Sequence, residues 1–258
     1  MSRIAPIAFA AAVLVPAQTP ADKSWKILEG GIANNNAGTR EKAVRALGLI
    51  TNHTKAVQLA EKALGDPKPD VQAAAADALG QMGAKSAIPK LVDAIKSKET
   101  EVVFAAANAL FVLGDPRAYE VYYAVLTGER KSGEGLVESQ MKMIKDPKAM
   151  AKMGFEAGVG FIPFGGAGLT VFKMVTKDDT SPVRAAAGLK LAGDRDAKTS
   201  AALMQAASDK KWLVRAAIVD SIAKRGDASL LKAVWPLLDD ENEIVKFTAA
   251  GAILRLTK

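Results

Sequence analysis

At 258 residues the chain is long enough for one large domain or a continuous array of small units. Its residues are 49% hydrophobic but only 5% aromatic, which favours close-packed helices over a β-sandwich. The absence of cysteine excludes disulfides, thiolate zinc sites, cysteine nucleophiles and a lipid-modified N-terminal cysteine, while a net charge of +7 admits anionic partners without selecting one.

The N-terminus, MSRIAPIAFAAAVLVPAQTPADKSW, starts with Arg3 and an apolar run from Ile4 to Val15, then reads Val15-Pro16-Ala17. A basic start, a brief apolar region and small residues at minus three and minus one predict a secretory signal peptide over 1–17, cleaved after Ala17. A retained N-terminal anchor is the alternative, although the run is short for a bilayer. The mature protein is then expected to be exported, periplasmic or extracellular.

From Thr39 the chain repeats itself. TREKAVRALGLI is a degenerate first copy, 32 residues before the matching Val71. Clearer copies start at Asp70 and Glu101, and again at Ser181, Trp212 and, as a half unit, Asn242. Valines 71, 102, 183, 214 and 245 fall in register, as do Leu79, Leu110, Leu191, Ile222 and Ile253, with a spacing of 31 residues inside each block. A fixed period in this range marks a stacked solenoid. Each unit reads as two helices. Val71, Ala74, Ala75, Ala78, Leu79 and Met82 line one face of a first helix; a glycine turn follows; Ile88, Leu91, Val92 and Ile95 line a second. Asp66-Pro67, Asp115-Pro116 and Ser181-Pro182 each place a capping side chain before a proline at the first helical position.

Between Leu110 and Leu191 lie 81 residues, one period of 31 plus 50, so an insertion occupies 129–180. Repeats therefore divide into 18–128 and 181–258. The insertion opens with the polar GERKSGEG and continues into a helical stretch with an expected break at Asp146-Pro147. If the helix continues past Pro147, Lys142, Lys145, Lys148 and Lys152 share one face, with Met143, Met150 and Met153 beside them. Such a face suits an anionic membrane or an adaptable protein contact. The uncharged run Ala157–Phe172 follows, with Phe161 and Phe164 flanking Pro163. Sixteen residues broken by Pro163 and Gly165-Gly166 do not make a stable span. Two short helices joined at PFGG, forming a helical hairpin, are expected instead.

Chemistry-bearing motifs are scarce. GEGLVE and GVGFIP lack the third glycine and preceding strand of a dinucleotide loop, and no phosphate loop occurs. His53 sits between two helices as a turn or cap residue; one histidine cannot make a zinc-protease motif. The acidic run DDENE precedes the last helix, with Asn242 as its cap, and lacks the ligand alternation of a calcium loop. No catalytic residue, metal ligand or cofactor is identified. After the in-register valines stand Gln72, Val103, Arg184, Arg215 and Lys246, with Arg40 in the first unit. Two readings stay open: a basic strip for an anionic partner, with Arg184, Arg215 and Lys246 as contacts, or arginines paired with turn aspartates such as Asp209 or Asp194.

The segments VRAAAGLKLAGDRDA and VRAAIVDSIAKRGDA, with the first-turn proline of AIPKLVDAI, resemble the short HEAT repeats of phycobilisome-lyase-type HEAT-like proteins. The resemblance implies an all-α, right-handed solenoid of stacked helix pairs whose concave face binds a partner. It also implies, as a weaker alternative, a lyase-type subunit. Family members that hydroxylate a protein lysine use paired His-Glu iron ligands, which one histidine cannot supply. The expected function is that of an exported, non-enzymatic scaffold that binds another protein through its concave face or its insertion. Peripheral membrane binding through 129–180 is the alternative; nucleic acid conflicts with export.

Overall fold

The computed structural model describes residues 19–127 and 180–257. Their structure is helical, with no strand among the described residues. In the first block lie α1 (Pro20–Ile32), α2 (Ala37–Leu47), α3 (Thr54–Ala63), α4 (Pro69–Met82), α5 (Ile88–Ala94), α6 (Thr100–Val112) and α7 (Arg117–Leu126). The second block contains α8 (Ser181–Lys190), α9 (Ala197–Ala206), α10 (Trp212–Arg225), α11 (Leu231–Val234) and α12 (Glu243–Leu256). A 3-10 turn, Trp235–Asp239, extends α11.

Local chemistry sets the helix ends. Thr19 and Asp22 form a reciprocal capping box at α1: the Thr19 hydroxyl accepts from the Asp22 N–H at 3.1 Å, and the Asp22 carboxylate accepts from the Thr19 N–H at 3.2 Å. Asn36 caps α2 and Asn242 caps α12, as its place in DDENE predicts. Gly83 and Gly226 close α4 and α10 at φ 68° and 69°, in the left-handed region. The Asp-Pro reading needs correction. Asp66 does not cap α4; it accepts from the Lys68 N–H in the preceding turn, and Pro69 takes the first turn of the helix. Pro116 occupies the N-cap of α7, with Asp115 bonded to the Arg117 N–H, and Ser181 is already helical. In the two Asp-Pro cases the aspartate is engaged in the turn instead.

The predicted first-helix face of α4 is buried throughout, from Val71 to Met82. On α5, Leu91 is buried, while Ile88, Val92 and Ile95 are half-buried against the same core.

Stacking order differs from chain order. First helices pack as α8 on α10, α10 on α12, α12 on α2, α2 on α4 and α4 on α6. The C-terminal half unit, α12, receives its missing second helix from the other end of the chain: α1 packs against α12 and also against α2. The array is thus α8/α9, α10/α11, α12/α1, α2/α3, α4/α5, α6/α7. Units that flank 129–180 in sequence sit at opposite ends. One hydrophobic core runs through both blocks, including Leu28, Leu47, Leu79, Leu110, Ile222 and Ile253. End position explains the exception in the register: Leu191, equivalent to these residues, is 36% exposed because no described unit lies before α8.

Two glycines allow the junction. A Cβ on Gly251 of α12 would lie 2.5 Å from the Ala46 carbonyl oxygen, and one on Gly31 of α1 would lie 2.5 Å from the Phe247 ring. Glycine is needed at both places by close approach, not by backbone angle.

Candidate functional site: an internal arginine ladder and an aromatic end

The arginines of the ladder pair within the chain. The Arg215 guanidinium is bidentate to Asp240, with Nε at 2.7 Å and Nη2 at 2.8 Å, and its Nη1 donates to the Asp209 and Lys210 carbonyls at 2.9 and 3.2 Å. Arg40 repeats the arrangement with Asp66 and with the Asn34 and Asn35 carbonyls. Each guanidinium therefore ties together the turns before and after its own unit. Arg184 pairs with Asp209. Gln72, the uncharged polar member of the row, donates to the Asp66 carbonyl at 2.6 Å.

The turn aspartates are held from both sides: Asp66, Asp209 and Asp240 also accept from the Lys68, Lys211 and Asn242 N–H groups. Burial alone would push the Asp240 carboxyl up, but hydrogen bonds from Arg215 and the Asn242 N–H outweigh it and hold the group below the usual carboxylate range. The Arg40 hydrogen bonds likewise hold Asp66 down. Lys246 is half-buried, and its charge acts on Asp240. Of the two readings of the row, pairing with turn aspartates describes Arg184 and Arg215.

The other chemistry-bearing positions have internal contacts. In the DDENE run, Asp239 meets Lys23 at 2.6 Å, Asp240 meets Arg215, Asn242 caps α12, and Glu243 meets Lys42 at 3.2 Å. His53 occupies the N-cap of α3 but makes no side-chain cap bond. Its ring lies 4.8 Å from that of Trp25, and its Nδ1 is buried without a hydrogen-bond partner. Among the described residues there is no cluster of three metal-ligating side chains, and no helix is long and apolar enough to cross a membrane. Phe161, Phe164, Lys142, Lys145, Lys148 and Lys152 lie outside the described residues, as do the expected signal peptide and hairpin.

The α6/α7 end carries a surface that the motif search did not single out. The chain's three tyrosines, Tyr119, Tyr122 and Tyr123, all fall on α7. Tyr119 is 49% exposed, Tyr123 64%, Phe111 49% and Leu126 83%. Phe111 stands edge-on to Tyr119 and Tyr122, with ring centroids 5.9 and 6.2 Å away. One period earlier the position of Phe111 is Gly80, where an added Cβ would come within 2.9 Å of the Ala109 Cα in the next unit. Phenylalanine here prevents another repeat from stacking as closely. The repeat pattern contained the signal: a large aromatic replaces glycine at the position that faces the following unit.

The family model of HEAT repeats matches residues 25–111, 57–127 and 170–253. No curated protein matches the chain in sequence. Among solved structures, the chain is similar to the complex of CpcE and CpcF of phycocyanin lyase from Nostoc sp. PCC7120, at 18% identity and TM-score 0.37, over 89% of this chain and 85% of that one. It is also similar to human deoxyhypusine hydroxylase in complex with glycerol, at 17% identity and TM-score 0.36, over 92% and 97% of the two chains. An engineered protein matches at 18% identity and TM-score 0.29, over 92% and 96%. With helix pairs, register and family model in agreement over most of its length, the chain belongs to the HEAT-repeat family.

Proposed function

We propose that the chain is an exported, non-enzymatic scaffold that binds another protein, with the aromatic α6/α7 end as a contact surface. The observation that carries this reading is the exposed set Phe111, Tyr119, Tyr123 and Leu126. Tyrosine and phenylalanine supply large contact area with few rotatable bonds, and exposed apolar groups of this kind mark interaction sites. The internally paired arginines support the same reading, because they serve stacking and leave the aromatic end as the more distinctive surface. Export rests on the leader sequence; Thr19, two residues after the expected cleavage point, caps α1 with its own side chain. Removal of 1–17 therefore leaves the cap in place.

The test is affinity capture from an envelope extract with wild-type protein and with Tyr119→Ala/Tyr123→Ala. A specific partner should be recovered by the wild type and fall tenfold or more with the variant, the loss expected for contact hot spots. Equal recovery by both overturns the assignment of this surface.

The lysine spacing in 129–180 supports a second reading, in which the segment docks on an anionic membrane. Its test is co-sedimentation with phosphatidylserine vesicles. Lys142→Glu/Lys145→Glu/Lys148→Glu/Lys152→Glu should abolish binding, and unchanged binding removes the reading.

A further inference from the structure

The two blocks of the chain meet at one junction, and every contact in it joins a residue of 19–127 to one of 180–257. Thr39 Oγ1 donates to the Glu243 carboxylate at 3.2 Å, and Lys42 Nζ lies 3.2 Å from the same group. Arg255 Nη1 donates to the Leu49 carbonyl at 3.1 Å. Lys23 Nζ sits 2.6 Å from Asp239. The backbone of Gly251 closes against Ala46, and Gly31 against Phe247. The covalent connection is elsewhere. It leaves from α7 and re-enters at α8, the two ends of the array, so it tethers the two blocks at points remote from α12 and α1.

We propose that this junction is a self-sufficient assembly interface: the α12 face takes the α1/α2 face of its own chain, and takes that of a second copy when its own is out of reach. The chain lengths set which occurs. Residues 128–179 have to join array ends separated by five helix spacings of 8–10 Å, roughly 45 Å. A chain of that length reaches at most roughly 180 Å, so closure within one chain is within its reach. Covalent linkage raises the local concentration of each face for the other, which favours closure within the chain over pairing between copies. A four-residue link spans at most about 14 Å and cannot close the same array. The α12 and α1/α2 faces of such a chain can then be covered only by another copy, in a head-to-tail contact that forms rings or open chains.

Two experiments on the full chain decide this. A protease site placed within 128–179 is cut after purification, and the product is run on a sizing column with light scattering. The fragments should co-elute at the mass of the uncut chain; separate elution overturns the proposal. The cut Gly251→Leu variant, checked for native helicity before cutting, should separate; if it too stays together, the junction is wrongly placed. In the second experiment, 129–179 is replaced by four Gly/Ser residues, with a 50-residue Gly/Ser replacement as control. The control should elute as a monomer, and the short form at twice its mass or more. A folded monomer with the short link refutes exchange between copies.

Discussion

Arg215 is only 9% exposed, and its three guanidinium nitrogens all donate within the chain. Removing its anion therefore leaves a charge that water reaches poorly. Asp240→Asn should cost about 3 kcal/mol, in the range for breaking one side of a buried pair. The exposed Asp93–Lys96 pair makes the contrast, and Asp93→Asn should change stability by less than about 0.5 kcal/mol. The sign of the pH dependence follows from Asp240 being held below its ordinary value. A depressed carboxylate contributes stability that is present above the unfolded value, about pH 4, and lost as the pH falls through the folded value. Urea unfolding at neutral pH and at successively lower pH should show the wild type converging on Asp240→Asn in acid. A gap that stays constant would mean that Arg215 does not stabilise the ionised form. Burial acts the other way at Asp220, pushing its carboxyl up, so acid relieves a cost there.

At the scale of the helix, α1 is the element whose role is hardest to see in the chain. Its adjacent glycines face opposite environments. An added Cβ on Gly30 meets nothing within 4 Å, whereas one on Gly31 would lie 2.5 Å from the Phe247 ring and 2.7 Å from Ala43 Cβ. Gly30→Ala should stabilise the protein by about 1 kcal/mol through helix propensity. Gly31→Ala should destabilise it by about 1–3 kcal/mol through overpacking. Thermal melts of the two variants check both signs; a shift in the same direction would show that α1 does not pack on α12. The 31-residue register made the first helices of the units legible, down to the buried Val71, Val102, Val214 and Val245. It could not give the stacking order, because periodicity says which segments are alike and not which segments touch. One unpaired element did stand in the sequence, the half unit at 242–256; its partner α1 lies at the other end of the chain. Joining them required contacts far apart in sequence, such as Thr39 with Glu243, 204 residues away. The aromatic end was hidden for the same reason, since only the stacking order shows that Phe111 and the tyrosines face away from a further unit.

The whole molecule inverts the usual relation between chain position and stability. In a repeat array each unit is supported only by its neighbours, so units at the ends open most easily and interior units open least. Chain termini ordinarily fray first. Here the terminal helices α1 and α12 lie in the interior of the array, flanked by α10 on one side and α2 on the other. In α12, Val245, Ala249, Ala250, Ala252 and Ile253 are fully buried, and in α1 Leu28 is as well. The units at the ends, α6/α7 and α8/α9, come from the middle of the sequence. Native-state hydrogen exchange should therefore give the greatest protection at amides of α12, α2 and α10, with α1 above α7 and α9. The smallest should fall on α7 and α9, where Tyr123, Leu126 and Met204 face outward. A collinear array in which α1 and α12 are opposite ends predicts the reverse, with protection falling toward residues 20 and 256 and peaking near the units that flank 129–180. Exchange rates at α12 against those at α7 separate the two arrangements in a single measurement, because slow exchange at the C-terminal helix requires α1 and α2 to be packed on it.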